Sequence, residues 1–397
     1  MNKGLDLVIL CGGRGKRLGN LTANTPKPLI KINNKRFLDY IIQFYQKYYF
    51  NRIFLLTSYK ARKFEKYNKK YFNSIISICI KEKKAKGTGG ALNELKKKIK
   101  NDFLLVNGDS YLDYNFKNFQ KIRKKYLGKI ILIKNNNYYS NTKLSSLNLN
   151  KKKEVIFNGN NSKYMNAGIY LFKSDIFDYI SNKDLSLEDE VLPELIKKRK
   201  IEGIKEKGTF IDIGTKKNLE LANQIFKKKK IFPAIFFDRD GVLNEDNGYV
   251  CKYSDFIWKK GVLKLLRYLS KKKFYLFIVT NQSGIGRGYF TIDSFMTLHR
   301  KIKYFLSKKD IYFHDIKFCP HHPEFGLKEF KKYCSCRKPG NKMLEEIIVD
   351  WNLDIKRSVM VGDKISDKLA SIKTNVNFFY SDSGYEKRLV TYFNKLY

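Results

Sequence analysis

Apolar residues fall along this chain in two rhythms. Short unbroken runs at 7–11, 53–57, 103–106, 130–133, 169–172 and 210–213 have the length of buried strands, while 37–48 and 90–99 repeat their apolar positions at the helical period. Alternation of the two predicts an α/β sheet. The rhythm breaks at four consecutive lysines, 227–230, followed by Pro233; a charge run closed by proline before a fresh apolar run predicts a linker near residue 230. Beyond it the alternation resumes, with runs at 234–237, 275–279, 316–318 and 359–361. The halves share no motif, so two different α/β domains are expected, 1–230 and 231–397, rather than a repeat.

Composition narrows the partners more than the fold. No apolar run approaches the roughly 18 residues of a membrane span, and the run at 7–11 is too short for a signal peptide, so a cytoplasmic chain without a membrane partner is expected. The formal net charge of +42 invites a nucleic-acid reading. The excess is lysine spread along the whole chain, without an arginine-rich patch, which reads as solvated faces rather than a nucleic-acid surface. Such a field still attracts phosphorylated small molecules. Six cysteines suggest no disulfide framework: Cys11 and Cys79 lie in apolar runs as core thiols, and Cys251 is a free thiol.

Chemistry concentrates where predicted strands end. The run at 234–237 leads directly into Asp238-Arg239-Asp240-Gly241, and ligands of open α/β sheets sit beyond the carboxyl ends of strands. With Thr280-Asn281, Arg337-Lys338-Pro339, and Gly362-Asp363-Lys364 followed by Asp367, this set resembles the haloacid dehalogenase superfamily of phosphatases. The resemblance implies Asp238 as nucleophile and Asp240 as general acid and base. It also implies Mg²⁺ on Asp238, Asp363 and the backbone carbonyl of Asp240, with Thr280, Asn281 and Lys338 on the phosphate. Cys319-x-His321 and Cys334-x-Cys336 offer three thiols and an imidazole, a donor set that suits a closed tetrahedral Zn²⁺ site, with His322 as the alternative imidazole. Their spacing resembles the zinc loop of heptose bisphosphate and histidinol phosphate phosphatases, a pattern that favours His321. The segments around Asn244, Tyr249 and 281–288 lean toward the heptose enzymes, which implies Arg287 and Arg337 on the substrate's far phosphate. His299 and His314 lack partners in the sequence and read as ordinary histidines.

The first half carries a second set. Gly12-Gly13-Arg14-Gly15-Lys16-Arg17 follows the first predicted strand, and glycines allow close backbone approach to a phosphate. With Thr25-Pro26-Lys27-Pro28, it resembles the signature of sugar-1-phosphate nucleotidyltransferases. That resemblance implies nucleotide contacts from Gly12, Gly13, Gly15, Arg17, Glu82, Gly87 and Thr88, and sugar contacts from Asn166, Gly168 and Glu188. Asp109 and Asp212 would hold Mg²⁺, while Arg17 and Lys27 act on the triphosphate. Where the family carries a Glu-Lys pair before Asn-Ala-Gly, this chain reads 157–163 without one, and Lys163 stands in a different register.

The expected fold is two Rossmann-like three-layer α/β/α domains, a mixed-sheet nucleotidyltransferase and then a parallel-sheet phosphatase with a zinc loop. The two resemblances fit one route, in which a phosphatase frees heptose 1-phosphate from the 1,7-bisphosphate and a nucleotidyltransferase joins it to a nucleotide, GTP in the family-level pathway. Three other readings stand beside it: another sugar phosphate or nucleotide, histidinol phosphate as the phosphatase substrate, or one half as a dead scaffold.

Overall fold

The computed structural model describes residues 4–71, 77–81, 87–134, 146–157, 164–180, 185–228 and 231–396. The chain divides into two compact units, Met1–Tyr45 with Phe50–Lys229, and Gln46–Tyr49 with Lys230–Tyr397. Among the described residues, no helix is long and apolar enough to cross a membrane.

The first unit is built on a nine-stranded mixed sheet. Asp6–Leu10 lies at its centre, parallel to Ile53–Thr57 on one side and Phe103–Asn107 on the other. Ser77–Lys81 extends one edge in parallel, and Tyr164–Phe172 runs antiparallel to Phe103–Asn107. Gly128–Lys134 then pairs antiparallel with Tyr164–Phe172 and parallel with Ile201–Glu206. Val8, Phe54, Phe103 and Leu105 bury into a core on one face, while Leu7, Ile9, Leu55 and Leu104 are equally buried on the other. Period-two alternation thus loads both faces of the central strands. Chain order reverses around Asp6–Leu10, so a crevice opens at the carboxyl ends of this strand and Phe103–Asn107. A small antiparallel pair, Ser110–Leu112 with Phe210–Asp212, sets Asp212 opposite Ser110.

The second unit has a five-stranded, wholly parallel sheet in the order Asp315–Cys319, Tyr275–Asn281, Ala234–Phe237, Val359–Gly362, Asn377–Tyr380. Ile235 and Phe237 join one core cluster, Ala234 and Phe236 the other, and all four have no exposed surface. Helices cover both faces, as a parallel sheet requires. The switch in strand order falls between Ala234–Phe237 and Val359–Gly362, whose carboxyl ends deliver Asp238 and Asp363 to one crevice.

Candidate active sites

In the first unit, the turn Lys27–Leu29 presents a buried lysine whose Nζ lies 2.6 Å from Asp109 Oδ2. Asp109 follows the strand Phe103–Asn107, and the pairing of Ser110 with Asp212 brings the second carboxylate beside it. Ser110 Oγ lies 3.4 Å from Asp109 Oδ1 and donates to Asp212 Oδ2 at 3.3 Å. Burial raises the Asp212 pKa, Asp109 adds to the rise by repulsion, and Lys27 and Arg17 oppose it. A side-chain carbon at Gly214 would sit 3.3 Å from both Arg17 Nη2 and Lys27 Nζ and 2.5 Å from Asp212 Oδ1. Arg17, Lys27, Asp109 and Asp212 therefore converge on one point. Two crowded carboxylates flanked by cations fit a divalent ion.

The glycine loop frames that point. Gly12 accepts from the Tyr59 amide at 3.4 Å, Gly13 has open space where a side chain would start, and Gly15 takes φ +65° ahead of the turn Lys16–Leu18. Gly87 begins the helix Gly87–Asn93, and the Gly89 amide donates to the Leu185 carbonyl at 2.9 Å.

A hydrogen-bonded chain links Asn166, Tyr170, Glu188 and Thr88. Asn166 Nδ2 donates to Tyr170 Oη at 2.6 Å, Tyr170 Oη to Glu188 Oε1 at 3.5 Å, and Thr88 Oγ1 to Glu188 Oε2 at 2.5 Å. Burial raises the Glu188 pKa. Register against Gly128–Lys134 shifts between Asn166 and Tyr170, and Gly168 in that bulge has φ +70°. A side chain there would meet Asn107 at 2.7 Å, so only glycine lets the two segments close. Glu82 and Lys163 lie outside the described residues.

In the second unit a cavity of about 270 Å³ is lined by Asp238, Asp240, Thr280, Asn281, Lys338 and Asp367, among others. Lys338 is 3% exposed. Its Nζ donates to the Val279 carbonyl at 2.8 Å and pairs with Asp238 Oδ1 at 3.0 Å and Asp367 Oδ1 at 2.6 Å. Asn281 locks that lysine in place: Lys338 N donates to Asn281 Oδ1 at 3.0 Å, and Asn281 Nδ2 returns a bond to the Lys338 carbonyl at 3.1 Å. Burial pushes the Asp238 pKa up to about 6, against the pull of Lys338. Asp238, Asp363 and Asp367 each offer an oxygen, all within 4.8 Å of one another, and Asp363 Oδ1 is buried without a hydrogen-bond partner among the described residues. Three hard oxygen donors around an unshared lone pair fit Mg²⁺. Gly241, at φ +77°, leaves the space that Asp363 Oδ2 uses, since a side chain would come within 2.6 Å.

The Asp240 carboxylate is absent from that cluster. It accepts from Arg239 Nη2 at 2.8 Å, Gln282 Nε2 at 2.8 Å and Asn244 Nδ2 at 3.0 Å. This arrangement leaves its backbone, not its side chain, for a metal. The structure adds Asp367 to the carboxylates and Gln282 and Asn244 to the supports. The sequence places Asp367 near Asp363, where the resemblance implies no ligand role for it. Its i+4 spacing from Asp363 was the available signal.

Beyond this cavity, Cys319, His321, Cys334 and Cys336 converge, with all four donor atoms within 4.8 Å. Cys336 Sγ lies 3.2 Å from both Cys319 Sγ and Cys334 Sγ, and 3.3 Å from His321 Nδ1. Hydrogen bonding shared with Cys319, then with Cys334 and His321, lowers the Cys336 pKa and raises that of Cys319. Four soft donors with no fifth position fit a structural Zn²⁺. His322 faces elsewhere, its Nδ1 accepting from the Glu324 and Phe325 amides at 3.2 and 3.1 Å. Arg337 Nη1 donates to the His321 carbonyl at 3.1 Å, and Arg287 lies over the Phe325 ring at 4.5 Å. Neither arginine lines the cavity.

Residues 7–229 match the nucleotidyl transferase family, and 233–394 match the polynucleotide kinase 3 phosphatase family. A D-glycero-beta-D-manno-heptose-1,7-bisphosphate 7-phosphatase of Escherichia coli K12 is 44% identical over 147 residues, which are 37% of this chain and 77% of that protein. The enzyme of that name from Haemophilus influenzae is 46% identical over 143 residues, 36% of this chain and 77% of its own. The crystal structure of HddC from Yersinia pseudotuberculosis is 28% identical, covering 56% of this chain and 99% of that one, at a TM-score of 0.48. The chain therefore belongs to the nucleotidyl transferase family through residues 7–229 and, through its C-terminal part, to the family of these bacterial phosphatases, so that one polypeptide carries a nucleotidyltransferase domain and a phosphatase domain.

Proposed function

We propose that this chain makes a nucleotide-activated heptose in two steps. Residues 231–397 remove the 7-phosphate of D-glycero-D-manno-heptose 1,7-bisphosphate, and residues 1–230 join the resulting heptose 1-phosphate to a nucleotide from GTP. The observation that carries the reading is the pairing, in one chain, of a phosphatase 44% identical over 147 residues to a heptose-bisphosphate enzyme with a nucleotidyl transferase domain. The product of the first reaction is the substrate class of the second.

In the phosphatase, Asp238 attacks phosphorus, the bond to the sugar oxygen breaks, and Asp240 gives that oxygen a proton. Asp240 then takes a proton from the water that cleaves the aspartyl-phosphate. Lys338 and Thr280 hold the phosphoryl oxygens, and Asn281 fixes Lys338. Mg²⁺ on Asp238, Asp363 and Asp367 would neutralise the incoming phosphate. Zn²⁺ on Cys319, His321, Cys334 and Cys336 would tie the two ends of their loop together. Arg287 and Arg337, near His322, are proposed to meet the substrate's far phosphate when it enters.

In the nucleotidyltransferase no protein nucleophile is needed. Arg17 and Lys27 neutralise the triphosphate, and Gly12, Gly13, Gly15, Gly87 and Thr88 shape the nucleotide's bed. Asn166, Gly168 and Glu188 face the sugar, whose 1-phosphate oxygen displaces pyrophosphate from the α-phosphorus. Mg²⁺ on Asp109 and Asp212 would steady the phosphates in line. GTP follows from the family-level route, and a cytoplasmic role in surface-polysaccharide synthesis follows from the product.

A substrate panel tests the reading: each nucleoside triphosphate with heptose 1-phosphate or mannose 1-phosphate, read by mass spectrometry. The expected product is GDP-heptose. A nucleotide sugar formed only from mannose 1-phosphate would refute the heptose assignment.

A further inference from the structure

Arg239 is a buried cation with an unfinished set of hydrogen bonds. It has no exposed surface; Nε and Nη2 grip Asp240, and Nη2 also donates to the Val250 carbonyl at 2.8 Å. Nη1, equally buried, has no hydrogen-bond partner among the described residues. His299, on the helix Ile292–Ser307, is 1% exposed, and among the described residues neither of its ring nitrogens has a partner either. Both side chains pack on the same ring: the guanidinium carbon lies 5.6 Å from the Phe295 centroid, and the His299 imidazole centroid lies 4.3 Å from it.

The two shortfalls complement each other. Burial, reinforced by the Arg239 charge, holds the His299 pKa well below its ordinary value, so the imidazole is neutral. A neutral imidazole has one nitrogen that accepts and one that donates, whereas Arg239 Nη1 only donates. Buried polar groups are almost always satisfied, by protein or by an ordered water. One water between Nη1 and the ring, or a direct contact, would give Nη1 its acceptor and the accepting ring nitrogen its donor.

We infer that His299 is a positioning residue for the phosphatase: by accepting from Arg239 Nη1, directly or through one buried water, it fixes the guanidinium that aims Asp240. The inference rests on the proposed roles of Asp238 and Asp240. Without the acceptor, the Arg239 fork turns and the Asp240 carboxyl drifts from the leaving oxygen. Proton transfer to that oxygen suffers, while binding through Thr280 and Lys338 does not.

The test uses the full chain with Mg²⁺ and compares two substrates, heptose 1,7-bisphosphate and p-nitrophenyl phosphate. The second has a leaving group that departs without a proton. For His299→Leu, kcat on the sugar bisphosphate should fall about 10- to 100-fold, with KM nearly unchanged and a smaller loss on p-nitrophenyl phosphate, which needs Asp240 only in the water step that both substrates share. His299→Gln, which restores an acceptor, should recover most of the loss. A raised KM with unchanged kcat, no loss of kcat at all, or a glutamine variant no better than leucine overturns the inference. Asp238→Asn run alongside separates the failures. If it keeps wild-type phosphate release, the phosphatase reading falls and this inference with it. If it is inactive while His299→Leu is normal, only the inference falls.

Discussion

Lys338 Nζ lies 3.0 Å from Asp238 Oδ1, so the proposed nucleophile is held against a buried cation before any substrate arrives. The same ammonium reaches Asp367 at 2.6 Å. Burial alone would favour the neutral amine, but Asp238 and Asp367 raise the Lys338 pKa above its ordinary value. The site is thus built around charge that a phosphoryl group and Mg²⁺ can share.

Asp238→Asn keeps the shape of the side chain but removes the nucleophile. Phosphate release should fall at least about a thousand-fold, while pyrophosphate release by the first domain continues. A malachite-green assay beside a pyrophosphate assay reads both.

Asp109→Ala should do the reverse. It leaves Lys27 without its 2.6 Å partner and Asp212 without a second carboxylate for the ion. Pyrophosphate release should drop about a hundred-fold or more, with phosphate release unchanged. Loss of both activities together, with loss of folding, would remove support for independent sites.

The cysteine cluster should hold close to one zinc per chain in protein purified without chelator, measured by elemental analysis. Cys336→Ser should lower the zinc content and the melting temperature, since the remaining donors no longer close a tetrahedron. A zinc-free wild-type protein that melts like the metal-loaded one would contradict a structural role.

Stability should respond to Mg²⁺ in a pH-dependent way. Asp238 has a folded pKa of about 6, above its ordinary 3.8. A raised carboxyl pKa means the folded state holds the proton more tightly. Its stabilising contribution is therefore full below the unfolded value and is lost as pH rises through the folded one. Mg²⁺ binds the charged form, so adding it should raise the melting temperature more at about pH 8 than at about pH 5. Melting curves with and without Mg²⁺, at constant zinc, give the comparison; an equal shift at both pH values would contradict it.

What the sequence reveals follows the range of each interaction. Asp238 and Asp240 are readable because a four-residue apolar strand ends directly at them, and the Cys/His cluster because its residue identities and spacing are local. Asp367 hides, because an acidic residue in a helix's first turn reads as a cap; it is one, with Oδ2 accepting from the Lys364 amide at 3.1 Å. The meeting of Asp109 with Asp212 depends on a two-strand register that no local pattern encodes. Ile201–Glu206 escapes the strand pattern because Glu202, Gly203, Lys205 and Glu206 interrupt its apolar positions, and Asn377–Tyr380 because it is a four-residue edge strand. The helix expected across 90–99 instead begins at Gly87, ends at Asn93 and continues as turns, with Leu95 and Lys98 each bonded three residues back. The contacts of Arg337 with the His321 carbonyl and of Arg287 with the Phe325 ring, outside the cavity's lining, lie in a loop fold that no local pattern encodes.

The central claim is that the two domains act in sequence on one sugar. Phosphorus NMR of the full chain with heptose 1,7-bisphosphate, GTP and Mg²⁺ tests it most directly. The second dianion of the bisphosphate has no dedicated partner among the residues proposed for the first domain, and an unpaired buried charge is costly. Phosphate should therefore appear first and pyrophosphate second. Asp238→Asn should form no nucleotide-heptose from the bisphosphate yet form it from added heptose 1-phosphate. Accumulation of a nucleotide-heptose 7-phosphate by that variant at the wild-type rate would contradict the account.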